Sequence, residues 1–505
     1  MAVSYKQETK NLVRHTVIKE AVQLLTNQRS DACCVRRSYV RDLYDYFSQL
    51  SESHEQQEAQ KIDLSYIQEW ERLHANSIGT KRPDELLVCY LSGPEPENDF
   101  NEFVSLGVLP QNIWAFESER NTYLQALTSI KTSEYMQPKI VKTSIEKFFE
   151  TSPRVFDIVY IDSCASLISD QHTLRCIASL FKHNRLNSPG VLISNFALFD
   201  TASSELEQYI DIISRYSHIH SHRSASLYEE NGHLQYGIDF TQEHKRTKES
   251  IEDAYGEFIS STLQNIASIV IPTLRFCNST YLQSLSQTAP IRNPTFQLQD
   301  INTIRDNTLY KFFATNQYLQ QQSISYFLGI GKAEKMRKEI ELQYNHDLLS
   351  SLQKVYCLKT TNTDICPEIQ ETLDYFDTDP TLYQFLDKPN RILFFDAVIN
   401  QLSCPMHYVT NKSVRLTYVA KQTRMYTDML LFDDCRYIYD WLPAIHQIPS
   451  AFSNPSWQYT FRFALDGLIK QRMNYNNEFF FQGSVISKTI EGFGAQLMSS
   501  RSKIN

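Results

Sequence analysis

The chain has 505 residues, a net charge of −9 at pH 7 and only 13 glycines, less than half the usual glycine share of about 7 %. So few glycines exclude collagen-like and low-complexity chains, and no window reads GxGxxG, GxxxxGKS or GxxxxGKT, the backbone cradles that phosphates need. The acidic balance gives no global attraction to nucleic acid, and no apolar run reaches the roughly 18 to 20 residues that span a bilayer.

Residues 1–80 are expected to form a helical N-terminal segment. Leu12, Val13, Val17, Ala21, Leu24 and Leu25 recur at helical spacing, and Tyr39, Leu43, Tyr46, Phe47 and Leu50 do so again. The texture changes at Pro83. Leu86 to Leu91 is a continuous apolar run, the mark of a strand buried on both faces. Asn98 to Leu106 reads as a helix with Asn98 as N-cap and Gly107 as its stop. Then come a strand at Ile113 to Phe116, a helix at Arg120 to Ser129, a strand at Lys139 to Lys142 and a short helix at Ser144 to Glu150. Phe156 to Asp162 is the clearest strand, followed by a helix at Thr173 to His183 and a strand at Gly190 to Asn195. A helix near Leu206 to Tyr216 leads to Ala225–Glu230 and His233–Phe240, two strand-like runs joined by Asn231-Gly232, a strong hairpin signal.

Strands alternating with helices predict βαβ units and a parallel sheet, here ending in that antiparallel hairpin. The expected fold class is therefore α/β, with a Rossmann-like, mostly parallel sheet over residues 81–240. Residues 241–505 read as mainly α-helical. The best helices there are Ile251–Thr273, Leu309–Leu328, Ala333–Gln353 and Met429–Leu442, with strands at Lys412–Lys421 and Phe479–Ile486. Ten scattered cysteines and an N-terminus without an apolar signal core point to a soluble cytoplasmic protein with no membrane association.

Five βα units followed by a β-hairpin resemble the class I S-adenosylmethionine-dependent methyltransferases, over about residues 83–240. The resemblance implies that the loop after the first strand, Ser92-Gly93-Pro94-Glu95, holds the methionine part of S-adenosylmethionine. It implies that Glu117, 24 residues beyond Gly93 at the end of the second strand, binds the ribose hydroxyls. By the same resemblance Thr143 and Ser144 approach the adenine, and Asp162 faces the methyl group as the catalytic or substrate-orienting carboxylate. The first loop departs from the family's acid-x-Gly-x-Gly pattern, since one glycine remains between prolines and acids. The FDxVxID run ending at Asp162 looks like that of O-methyltransferase-like members.

Charge supports the same cofactor. Glu95, Glu97 and Asp99 would repel a pyrophosphate at a helix N-terminus and attract a sulfonium and an ammonium. The expected function is thus S-adenosylmethionine-dependent methyl transfer to an unknown acceptor. The alternatives are a degenerate methyltransferase-like domain serving as an interaction platform for protein partners, or a nucleic-acid-associated factor. The last rests on basic and aromatic residues interleaved in the C-terminal region: Tyr418, Lys421, Arg424, Tyr426, Arg436, Tyr437, Tyr439 and Trp441. Gly329-Ile330-Gly331-Lys332 reads as a helix break, since Ala333 stands where magnesium would need a hydroxyl. Cys404-Pro-Met-His407 has the two-residue gap of a zinc knuckle, but Cys357 and Cys366 are separated by eight residues instead of two to four, and no metal is expected.

Overall fold

A computed structural model describes residues 8–272 apart from 52, 132–138, 169–170, 221–225, 231–232 and 238–239. It further describes 275, 367, 371, 400–472 apart from 445–446, 448–449 and 452, and residues 493 and 498–504. The helices read at Leu309–Leu328 and Ala333–Gln353, the strand at Phe479–Ile486, Gly329–Lys332, Cys357, Cys366 and the turn Asn231-Gly232 lie outside the described residues.

The N-terminal segment forms α1 (Glu8–Leu25), α2 (Tyr39–Gln49), α3 (His54–Ala59) and α4 (Leu64–Ile78). There follow β1 (Val88–Leu91), α5 (Glu97–Ser105), β2 (Ile113–Phe116), α6 (Arg120–Ile130), β3 (Lys139–Val141), α7 (Ile145–Thr151), β4 (Phe156–Asp162), α8 (Gln171–Lys182) and β5 (Leu186–Ala197). Each of these strands matches a strand read from the sequence, β5 beginning four residues earlier than expected. Asn98 is not the N-cap of α5, because the helix begins one residue earlier at Glu97 behind Pro96; its side chain instead donates to Glu95 Oε2 at 3.0 Å. Gly107 does end that helix, at a φ of +91° that favours glycine.

After α9 (Leu206–His220) the hairpin predicted by Asn-Gly forms as β6 (Ser226–Glu230) and β7 (His233–Gly237), but as a separate two-stranded sheet. Next come α10 (Phe240–Glu249) and α11 (Ile251–Asn265), then β8 (His407–Tyr408), β9 (Val414–Ala420) and β10 (Thr423–Asp433). The chain continues through α12 (Arg436–Tyr439), α13 (Pro455–Arg472) and β11 (Ser502–Lys503). The main sheet has nine strands among the described residues, in the order β11-β9-β10-β5-β4-β1-β2-β3, with β8 also on β10. Strands β1 to β5 are mutually parallel where they pair, β10 runs antiparallel to β5, and β9 antiparallel to β10. This is an α/β fold with a Rossmann-like, mostly parallel sheet closed by an antiparallel pair.

That pair is β9–β10, from the region read as mainly helical. The helix expected at Met429–Leu442 is a strand as far as Asp433, followed by a single helical turn, α12. A short apolar run such as Met429-Leu430-Leu431-Phe432 suits a buried strand or a buried helix equally, and partners decide between them. β10 lies against β5 from Met425–Ala197 to Phe432–Gly190 and is covered on both faces.

Alternate residues of each central strand enter different cores. Val88, Tyr90, Ile158, Tyr160, Val191 and Ile193 pack with α1 and α5 on one face. Cys89, Val159, Ile161 and Leu192 pack with α7, α8 and α11 on the other. A third core joins α2 and α4 to α12 and α13 around Trp70, Tyr437, Tyr459 and Phe463. Tyr426, Tyr437 and Tyr439 of the basic-aromatic stretch are fully buried, so these rings offer no stacking surface to a nucleic acid. β10 carries Tyr426 inward, and α12 packs Tyr437 and Tyr439 into the core shared with α2, α4 and α13.

Where β10 ends, the buried Asp433 carboxylate ties the N-terminal segment to the sheet. It accepts from Cys34 N at 2.8 Å, Cys435 N at 2.9 Å, the Tyr437 hydroxyl at 2.7 Å and Ser188 Oγ at 3.3 Å. Burial and the adjacent Asp433 charge push neighbouring Asp434 up to about 6, against partial relief from Ser188 and Arg436. The unfolded carboxyl titrates near 3.8, so between these values the folded chain holds a proton that the unfolded chain has released. Stability is therefore expected to fall as pH rises from about 4 through 6, by at most about 3 kcal/mol, the equivalent of that shift. Urea titrations across this range should show the slope in the native chain and a flatter one in Asp434→Asn; equal slopes would refute the assignment.

Candidate functional site

The chain lays β2 and β3 on one side of β1, then crosses to place β4 and β5 on the other. Loops leaving β1 and β4 consequently diverge, and the crevice at the carboxyl ends of a parallel sheet at such a switch point is where ligands bind. All seven residues singled out from the sequence lie on loops or strand ends at this edge.

On the β1 side, the Ser92 amide donates to Phe116 O at 3.0 Å and its hydroxyl to Gly93 O at 3.2 Å. Gly93 has φ +56°, and a Cβ placed on it would meet nothing within 4 Å. The one glycine left in this loop therefore stands where backbone faces open space, as close approach by a ligand requires. Tyr90 fixes the loop from below by donating to Pro96 O at 2.7 Å. Glu95 is held by Asn98, and Glu97 Oε1 accepts from Ser129 Oγ at 2.5 Å.

Half-buried Glu117, at the end of β2, accepts the Glu119 amide at 2.7 Å through Oε1. A carboxylate has about four lone-pair directions, so this bond leaves capacity for two hydroxyl donors. Thr143 N donates to Val141 O at 3.0 Å, closing the turn after β3. Ser144 is the N-cap of α7, accepting from Lys147 N at 3.2 Å. Its hydroxyl is thus engaged with its own helix.

Asp162 ends β4 and is surrounded. Its Oδ2 lies 2.8 Å from Lys10 Nζ, and its Oδ1 accepts from Asn195 Nδ2 at 2.8 Å and Cys164 Sγ at 3.2 Å. Burial opposes the charge, but Lys10, Asn195 and Cys164 together hold this carboxyl below its ordinary range. Burial and the Asp162 charge push the Cys164 thiol up to about 11, which removes it as a nucleophile near neutral pH. Asn195 is itself oriented, its Oδ1 accepting from Thr427 Oγ1 at 2.8 Å and from the Tyr418 hydroxyl at 3.4 Å.

Sequence reasoning missed Lys10, Arg14, Asn195, Thr427 and Tyr418. The signal for the first two is present in α1: Lys10 and Arg14 are four residues apart on a face otherwise occupied by Val13, Val17 and Ala21. Two cations on an apolar stripe call for buried acids opposite, and Arg14 Nε does meet Asp99 Oδ1 at 2.6 Å. Helix α1 thus neutralises two acids at the crevice, Asp99 and Asp162. Glu95, Glu97 and Glu117 place three further carboxyl groups at the ends of β1 and β2 and at the start of α5.

The fold is α/β, with a crevice at the carboxyl edge of its mostly parallel sheet. The sequence matches no family model and no curated protein. Among solved structures, the chain is similar to a S-adenosylmethionine-dependent methyltransferase from Clostridium acetobutylicum ATCC 824. The likeness covers 39 % of this chain and 67 % of that one, at 13 % identity and a TM-score of 0.18. A likeness of that degree leaves the function to be read from the crevice. No helix among the described residues is long and apolar enough to cross a membrane.

Proposed function

We propose that the chain is an S-adenosylmethionine-dependent methyltransferase. The observation that carries this reading is the open backbone at Gly93 beside the carboxylate of Glu117, on adjacent strands at the switch point. Ser92, Gly93 and Glu95 would hold the amino-acid end, Glu117 the ribose hydroxyls, and Thr143 and Ser144 the adenine side. When bound, the cofactor supplies an electrophilic methyl group on a sulfonium. The chain's own part is to orient donor and acceptor and to exclude water.

Asp162 fits an orienting role better than proton abstraction. A carboxylate paired with Lys10 and held below its ordinary range is a poor base but a fixed negative charge. Acceptors carrying a hydroxyl, as in O-methyltransferase-like enzymes, suit such a charge as hydrogen-bond donors. A second reading, a non-catalytic platform for protein partners, is favoured by one observation: α1 already occupies both Asp99 and Asp162 with its own cations.

Calorimetry separates the two readings. S-adenosylmethionine or S-adenosylhomocysteine should bind the native chain, and Glu117→Ala should weaken binding at least tenfold with an unchanged melting temperature. No heat at millimolar ligand would overturn the enzyme reading.

A further inference from the structure

Glu146 in the first turn of α7 and His172 and Cys176 on α8 form a cluster outside the crevice residues already described. Their ligand atoms all lie within 4.8 Å of one another. His172 and Cys176, at i and i+4, share one helical face, and Cys176 Sγ is 3.8 Å from His172 Nδ1 and 3.9 Å from Nε2. In a tetrahedral zinc site, bonds of about 2.3 Å to sulfur and 2.1 Å to nitrogen put neighbouring ligands roughly 3.6 Å apart. The observed separation therefore needs only a small closure around an ion.

We infer that Glu146, His172 and Cys176 form a binding site for a divalent transition-metal ion of the zinc type. A thiolate, an imidazole and a carboxylate make a mixed set that suits Zn²⁺ and excludes Mg²⁺ and Ca²⁺, which take oxygen ligands. The helices are already fastened at the right spacing, with Ser179 Oγ donating to Glu146 O at 3.1 Å and Arg185 Nε to Phe149 O at 2.9 Å. Arg175 approaches Glu146 through Oε1 at 3.6 Å, so the other carboxylate oxygen can turn to the ion. Cys176 is fully buried while Glu146 and His172 are half-buried, which gives the ion a route from solvent and leaves a fourth position for water.

A second cluster, Cys34, Asp433 and Cys435, is as close together but differs in one respect. The four hydrogen bonds to Asp433 use both of its oxygens twice, so this carboxylate has no lone pair to give a metal. The proposed ion would instead clamp α7 to α8, the helices that begin beside Ser144 and beyond Asp162. It would stiffen one wall of the crevice, and it stands whether or not the crevice binds S-adenosylmethionine.

The test is Co²⁺ titration of the metal-stripped full-length chain, read by absorption. One equivalent should give tetrahedral visible bands and a thiolate-to-cobalt charge-transfer band, displaced by Zn²⁺. Cys176→Ser should remove the charge-transfer band. His172→Ala, at a half-buried surface position that threatens folding little, should weaken binding at least tenfold. No charge-transfer band in the native chain, a band surviving both variants, or a band lost in Cys435→Ser instead would each overturn the assignment.

Discussion

Arg14→Ala is expected to cost the protein about 3 to 5 kcal/mol, the usual effect of leaving one partner of a buried ion pair behind. The side chains of Arg14 and Asp99 are 9 % and 7 % exposed, and their 2.6 Å contact lies between α1 and the first turn of α5. Total stabilities run from about 5 to 15 kcal/mol, so the loss would consume a large part of the margin. The pH dependence has a definite sign. Burial already pushes Asp99 up to about 6 against the pull of Arg14, and without Arg14 it rises further. The cost of the substitution should therefore be largest above the variant's raised pKa and shrink as pH falls from there to about 6, staying small below it because both folded carboxyls are then neutral and tolerate burial. Arg14→Met combined with Asp99→Leu should recover most of the loss, since an apolar pair of similar volume needs no desolvation of charge. Urea unfolding at pH 5 and pH 8 decides the matter. A loss below about 1 kcal/mol at pH 8, or one that grows toward pH 5, would refute it.

Asp433→Ala should cost a similar amount for a different reason. Four donors, Cys34 N, Cys435 N, the Tyr437 hydroxyl and Ser188 Oγ, would lose their acceptor, at about 1 to 3 kcal/mol for each one left unpaired inside the protein and with less than full additivity. Asp433→Asn keeps one carbonyl oxygen and should fall between the native chain and the alanine variant. Because Cys34 lies between α1 and α2, the alanine variant should also become sensitive to proteolysis in residues 26–38. Denaturant melts and limited digestion measure both effects. Equal stability of the alanine and native chains would show that the carboxylate does not bind the N-terminal segment to the sheet.

The placement of the candidate residues was legible because they sit at strand ends. An apolar run that stops at an acid, as at Phe116-Glu117 and Ile161-Asp162, marks both a strand and the edge where it emerges. Gly93 was singled out through the family resemblance, and its left-handed φ of +56° is visible only in the structure. Lys10 and Arg14 were not legible in this way. Their place on the apolar stripe of α1 calls for buried acids opposite, but those acids, Asp162 and Asp99, lie 152 and 85 residues away and nothing local says which they are. Asn195 was seen as the end of a strand, but its role depends on Thr427 and Tyr418, more than 220 residues on.

The sequence by itself determined the five parallel strands, their helices and the acidic edge, because hydrophobic period, caps and turn residues are local quantities. It also pointed to the Asn-Gly hairpin and to a strand at Lys412–Lys421, which form β6–β7 and β9, while the end of β10 read as a helix. Only the tertiary structure decided that Thr423–Asp433, and not the Asn-Gly hairpin, completes the sheet on β5. A hairpin signal fixes a turn; it does not say which sheet edge the strands will cover. That choice falls to whichever segment can bury both faces against β5, and β10 does so along its whole length there. The same competition for burial brings α1 across the sheet and sets its two cations on the acids of the crevice.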